Sequence, residues 1–335
     1  MQRLASVAIY ASQYKDQPAV TLESDLISAQ FLPSIGSKMS SLVYKPRGLE
    51  LMVQRPGDKY LLLPYDSKYE DAECSGFDEM FPTIDTCYYE VYPWQGTKVP
   101  DHGEVWSLNW AHSIDGEALS ISCFGVRFPY KLDKRVSFAA PHILHIDYSL
   151  TNLSDFDFEF LWAAHPMINL EEDVELVLPA GVESILTRMS LDGALGGFGD
   201  EFRWSQVTQP DGTTRDLSKV RPKSARSFDK YFVKGAMPAG WCALKYPLSN
   251  FSLALSFPVK TVPYLAILPN EGGWRDMYNI FLEPATASFD RIDVARLRRE
   301  ISTVRAHGVY QWHLNFSFMD GTNFGDVTEA GEFTS

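Results

Sequence analysis

The sequence predicts an all-β protein, a large antiparallel β-sandwich. Three observations carry that prediction. Short apolar runs recur along most of the chain, separated by turn residues at about the 8–12-residue spacing of sandwich strands. Strong turn signals stand between them: Gly36 within Ser34-Ile35-Gly36-Ser37, and Asp115-Gly116 within Ile114–Glu117. Helical periodicity is nearly absent. Arg291–Val304 is the one helix candidate, with Arg and Glu spaced for i,i+4 pairs, and it reads equally well as strand and loop. No internal repeat or composition break divides residues 1–335, so one domain is the simpler organisation.

In chain order, Ile27–Pro33 and Lys38–Lys45 flank the first hairpin signal. Gly48–Arg55 reads as a helical turn or a strand, and Tyr60–Pro64 is a short apolar run. Gly76–Asp85, acidic and aromatic with a central proline, reads as a loop. Val105–His112 and Ala118–Phe124 are strands joined by the Asp-Gly turn. Val126–Leu132, Val136–Ala139, Ile143–Leu153, Phe158–His165, Val174–Pro179 and Glu183–Arg188 continue the series. Leu191–Lys223, rich in glycine and without periodicity, reads as a long excursion over the surface. Trp241–Tyr246, Phe251–Phe257, Tyr264–Leu268, Tyr278–Glu283 and Val309–Ser317 complete the strands, and the last dozen residues read as a frayed polar tail.

An apolar content of 45% over 335 residues is enough for a sizeable core without disulfide or metal staples. The net charge of -13, with pI ≈ 5.0, argues against nucleic acid and against anionic membrane surfaces. The N-terminus does not read as a signal peptide, because its apolar segment is soon broken by Gln13, Tyr14, Lys15 and Asp16. No window has the apolar length of a membrane span. Cys74, Cys87, Cys123 and Cys242 form no C-x-x-C pair, so free buried thiols in a reducing cytoplasm are expected. A Cys74–Cys87 bridge is the alternative.

Two residues stand out chemically. His165 lies in Leu161–Leu170, LWAAHPMINL, directly before Pro166. A residue before proline is kept extended, so the imidazole sits at an apolar strand end with its backbone fixed. Glu283 repeats the design in Tyr278–Pro284, YNIFLEP. An unpaired carboxylate buried there would have a raised pKa, as a general base needs. A core histidine and a buried ion pair are the bland alternatives, and the residues alone leave both open. His102 stands in the turn Pro100–Glu104, as a solvated loop histidine or a site residue. His142 and His145, three apart on a strand, point to opposite faces, and no Cys/His cluster is present, so no metal is expected. G-x-S-x-G, P-loop and dinucleotide fingerprints are also lacking.

Four stretches in order resemble the aldose 1-epimerases (galactose mutarotases). They are Thr151–Leu170 with its His-Pro and Asn-Leu, Asp101-His102-Gly103, Phe228-Asp229-Lys230-Tyr231-Phe232, and Gly272–Pro284. The resemblance spans most of residues 30–317. It implies a galactose mutarotase-like supersandwich with one sugar groove and interconversion of the α and β anomers of a free aldose, without cofactor. It casts Glu283 as the general base at the anomeric hydroxyl, His165 as the general acid at the ring oxygen, His102 as a second imidazole there, and Asp229 as a carboxylate for sugar hydroxyls. The early arginine typical of the family has no counterpart; Gly76–Pro82 stands in its place, with Asp78 and Glu79 suited to neutral hydroxyls. Arg127, Arg275 and Lys131 remain candidate cations, and Trp274 offers a flat face for a sugar. The expected partner is a small-molecule sugar, and the expected assembly a monomer or homodimer. The competing readings are a carbohydrate-binding protein without turnover and another sugar-active enzyme. A glycosidase needs two opposed carboxylates, and only one is well placed here.

Overall fold

The computed structural model describes residues 7–209 and 211–335. Two large antiparallel sheets face each other. The larger has 12 strands. Its order is Ala8–Tyr14, Gln17–Glu23, Ile27–Leu32, Lys38–Tyr44, Phe77–Met80, Ala163–Asn169, Tyr278–Ala285, Tyr264–Glu271, Ser227–Val233, Ser184–Ser190 and Glu201–Arg203, with Leu49–Glu50 beside Lys38–Tyr44. The smaller has 8 strands: Glu175–Val177, Trp241–Tyr246, Phe251–Ser256, Val309–Asp320, Ile143–Asn152, Tyr130–Ala140, Ala118–Phe124 and Ala111–Asp115. No helix among the described residues is long and apolar enough to cross a membrane.

Alternation builds the interface between the sheets. Along Ile143–Asn152, Leu144, Ile146, Tyr148 and Leu150 are buried, and along Tyr130–Ala140 so are Tyr130, Leu132 and Val136. Each buried aliphatic side chain contributes roughly 1.5–3 kcal/mol relative to exposure. From the larger sheet, Phe77 meets Phe316 at 5.5 Å between ring centroids. Trp162, just ahead of the strand Ala163–Asn169, meets Trp312 at 5.1 Å. The first hairpin turns where expected. Gly36 has φ 60°, and a Cβ there would lie 2.2 Å from the carbonyl oxygen of Trp106, so only glycine fits.

Several expectations are corrected. Gly76–Asp85 is no loop: Phe77–Met80 is a strand in the middle of the larger sheet, its acidic residues matched by one lysine from the adjacent strand and one from the smaller sheet. Val105–His112 opens as a 3-10 turn, Val105–Ser107, before the strand Ala111–Asp115. Phe158–His165 divides in two. Phe158–Phe160 pairs with Ser302–Val304, and the chain then crosses to the larger sheet, where Trp162 N meets Thr286 Oγ1 at 2.8 Å. His165 and Glu283 therefore lie inside strands, not at their ends.

Arg291–Val304 is both readings at once: helix Ile292–Arg298, then strand Ser302–Val304. The excursion is not merely superficial, since Leu195, Val207, Leu217 and Arg215 are buried. The polar tail is ordered by a hairpin, Asp326–Val327 with Phe333–Thr334, and by Phe324 against Trp241. The break expected at Gln13–Asp16 is the turn between the first two strands, while residues 1–6 of that reading lie outside the described residues. All four cysteines are free and buried, so the Cys74–Cys87 bridge is absent.

Candidate active site

Three neighbouring strands of the larger sheet build the centre. Ala163–Asn169 lies between Phe77–Met80 and Tyr278–Ala285. His165 pairs with Asp78 on one side. On the other, Ala163 stands opposite Ala285 and Met167 opposite Phe281, which places His165 opposite Glu283. Opposite residues of an antiparallel pair share a face. Asp78, His165 and Glu283 thus form one row on the face turned away from the smaller sheet. The regular pairing lapses between Ala163 and Met167, where Pro166 and Pro284 each lack an N–H. The prolines do not end the strands; they loosen the ladder where the two titratable groups meet.

His165 Nε2 lies 3.7 Å from Glu283 Oε1, beyond hydrogen-bond reach. Both side chains are buried, and His165 Nδ1 and Glu283 Oε1 have no hydrogen-bond partner. Leaving buried polar atoms unpaired costs about 1–3 kcal/mol each, so this arrangement is open for something. Burial raises the Glu283 carboxyl above its ordinary value, against the pull of Lys230. Burial, with the charges of His102, Lys230 and Lys38, pushes the His165 imidazole well below its ordinary value. Lys230 Nζ donates to Glu283 Oε2 at 2.7 Å and lies 2.9 Å from Asp290 Oδ1.

At His165 the row opens on a cavity of about 460 Å³, within the usual size of small-molecule sites. His165, His102, Tyr69, Lys230, Asp290 and Trp274 line it, with Arg188, Asp85 and Phe228. His102 is delivered by a docked loop. Gly103 has φ 77°, and a Cβ there would lie 2.0 Å from the Phe81 carbonyl oxygen. His102 N donates to Ile84 O at 2.5 Å. Asp101 Oδ1 lies 3.0 Å from His102 Nδ1, which fixes the ring, and Tyr69 stacks on that ring at 4.2 Å. Burial would raise the Asp101 carboxyl, but the contact with His102 outweighs it and the net shift is downward.

Trp274 stacks on Phe228 at 5.7 Å, 18° from parallel, and both rings line the cavity. A wider groove of about 1030 Å³ crosses the outer face of the smaller sheet. Its floor is Ser120, Ser122, Asp133, Arg135 and Ser149, the polar set of a solvated sheet face.

Other expected site residues sit elsewhere. Asp78 reaches the cavity only through Tyr69, whose hydroxyl donates to it at 2.7 Å, and Lys38 pairs with it at 2.9 Å. Glu79 points into the core, bound by Lys134 Nζ at 2.8 Å, Tyr148 Oη at 2.9 Å and Trp162 Nε1 at 2.8 Å. Asp229 is turned from the cavity and held by Arg215 at 2.6 Å and Ser190 at 2.7 Å. Arg127 pairs with Asp66 at 2.7 Å and Lys131 with Asp133 at 2.7 Å. Arg275 covers Trp274 at 4.9 Å.

No protein-family model matches the chain, and no curated protein matches it in sequence. Solved structures do. A protein from Klebsiella pneumoniae, proposed to be an aldose 1-epimerase, superposes with a TM-score of 0.67 at 11% identity, over 95% of this chain and 85% of that one. A galactose mutarotase-like protein from Lactobacillus casei gives 0.61 at 16% identity, over 90% and 100%. Another, from Clostridium acetobutylicum, gives 0.61 at 13%, over 94% and 99%. The chain has the galactose mutarotase-like fold.

In this galactose mutarotase-like chain, reading the sequence missed Lys230, Asp290, Arg188 and Tyr69 at the cavity. A signal for Lys230 existed. In Phe228–Phe232, Lys230 shares the parity of Phe228 and Phe232, and Asp229 has the other. Asp290 and Arg188 leave no comparable trace, because they meet across a long separation in sequence.

Proposed function

We propose that this protein is an aldose 1-epimerase acting on a free, uncharged aldose. The observation that carries the reading is the unpartnered Oε1 of Glu283, buried opposite His165 beside a sugar-sized cavity. Ring opening of a hemiacetal removes a proton from the anomeric hydroxyl and delivers one to the ring oxygen. Glu283, ionised, takes the first. A hydroxyl placed about 2.8 Å from both Oε1 and Nε2 fits the 3.7 Å gap. His165 faces the ring oxygen; protonated, it is a strong acid, because its surroundings disfavour the charge. His102 stands beside it, rings 5.4 Å apart, its ring oriented by Asp101. After rotation about C1–C2 the transfers reverse and close the other anomer. Trp274 and Phe228 supply the apolar wall.

An uncharged substrate is supported by the cavity's cations. Arg188 and Lys230 are each held by two carboxylates, and Lys68 is exposed with Glu70 4.0 Å away, so among the described residues the buried part of the wall has no unpaired lysine or arginine for a phosphate. Four buried free thiols favour a reducing, cytoplasmic setting. The test is polarimetry of anomer interconversion over a panel of free aldoses and hexose 6-phosphates. At least one free aldose is expected to be turned over faster than any phosphate. A strong preference for a phosphate overturns the uncharged substrate, and sugar binding without turnover makes the protein a carbohydrate-binding one.

A further inference from the structure

Lys230 occupies an unusual place. It stands on the cavity face of Ser227–Val233, between Phe228 and Phe232, with its ammonium buried. Burying an ammonium costs several kcal/mol unless it is well paired, and an apolar side chain would fill the same space without that penalty. Here it is paired twice, to Glu283 Oε2 at 2.7 Å and to Asp290 Oδ1 at 2.9 Å. Asp290 is itself tethered. Its Oδ2 accepts from Arg188 Nε at 2.9 Å, and Arg188 reaches on to Asp85. The Asp290 backbone oxygen accepts from Ile84 N at 2.9 Å and Asp85 N at 2.8 Å. A chain of alternating charge, Glu283–Lys230–Asp290–Arg188–Asp85, thus runs along one wall of the cavity.

We propose that Lys230 is a positioning residue, which anchors Glu283 by Oε2, is braced from behind by Asp290, and so leaves Oε1 as the base aimed at the substrate. This deepens the proposed function and rests on it. A carboxylate held by one oxygen cannot rotate its free oxygen away, and the ammonium keeps it ionised in a site where burial works against charge. The charged or titratable groups around Glu283 are His165 across the strand pair, Lys230, Asp290 behind it and His102 from the docked loop. The facing residue on Tyr264–Glu271 is Ala266, which carries no charge.

The two partners of the clamp act on Glu283 with opposite sign, and that makes the test. Lys230 favours the ionised carboxylate, while Asp290 disfavours it. The kcat/KM–pH profile for the best aldose is measured in the full chain. In Lys230→Met the acid limb moves to higher pH by about 1–3 units, the effect of losing an adjacent opposite charge. Activity then falls at least tenfold near the foot of the limb and recovers within a few-fold on the alkaline side. In Asp290→Asn the limb moves to lower pH. Lys230→Arg, which keeps the charge, stays near the wild-type limb. A role confined to stability would scale the whole profile and leave the limb in place, and that result overturns the clamp. If Lys230→Met does not fold, the downward shift in Asp290→Asn decides. Unmoved limbs in variants of an active wild type overturn the clamp alone, whereas a wild type without turnover overturns both this inference and the function beneath it.

Discussion

Glu79 and Glu283 are both fully buried glutamates in the middle of the larger sheet, yet their surroundings differ. Glu79 faces the smaller sheet, where Lys134, Tyr148 and Trp162 saturate both of its oxygens. Glu283 lies on the opposite face, behind the cavity-lining His165 and Lys230, with one oxygen on Lys230 and the other on nothing. An unpaired oxygen on a buried carboxylate costs free energy, and Glu283 keeps one beside His165 where Glu79 keeps none. In the proposed function that oxygen meets the ligand. Partner count thus distinguishes these two glutamates where burial does not.

The comparison breaks most directly at Glu283. Glu283→Gln keeps size and hydrogen bonding but removes proton acceptance, so anomer interconversion should fall by about 10²–10⁴-fold. Stability should fall less than in Glu79→Gln, since Lys230 retains Asp290. Polarimetry and a thermal melt together check both halves; near wild-type turnover would move the base elsewhere. His165→Asn should cost a similar factor, and the double variant little more, because groups acting in one concerted step are not additive. Multiplied losses in the double variant would show independent roles.

Glu79→Gln should do the reverse. Breaking a buried ion pair costs about 3–5 kcal/mol, read in a denaturant titration, while kcat per folded molecule stays within a few-fold. An activity loss as large as that of Glu283→Gln would erase the distinction. The smallest effect concerns acid. His165 has a depressed value in the folded state, so below the ordinary imidazole range the unfolded chain binds the extra proton and stability falls with falling pH. Glu283, raised in the folded state, acts with the opposite sign: its contribution is present below the ordinary carboxylate range and is lost as pH rises through the folded value. His165→Asn should flatten the loss between about pH 6.5 and 5, measured as melting temperature against pH.

Much of this architecture was legible without coordinates. Alternating apolar runs and Gly36 and Gly116 in their turns identified the antiparallel strands, because side chains on a strand alternate with period two and tight turns need φ above zero. His165, Glu283 and His102 stood out in the sequence as titratable groups in fixed backbone settings, and the fold brings them together. Prolines misled in one respect: Pro166 and Pro284 read as strand ends, but sheet neighbours on both sides hold those strands through the missing donors.

The sequence by itself determined the class of fold, the alternation of strands and turns, and the presence of two titratable groups on apolar strands. Only the tertiary structure decided which member of an adjacent pair faces the cavity. Asp78 and Glu79 are neighbours, as are Asp229 and Lys230, and in each pair one residue points to the site's face and the other away. Period two sends neighbours to opposite faces but does not say which face is which until another sheet covers one of them. The partners were beyond local reading for the same reason. Lys38 for Asp78, Lys134 for Glu79, Arg215 for Asp229 and Lys230 for Glu283 arrive from other strands or from the excursion, and only assembly of the strands into the two sheets brings those charges together.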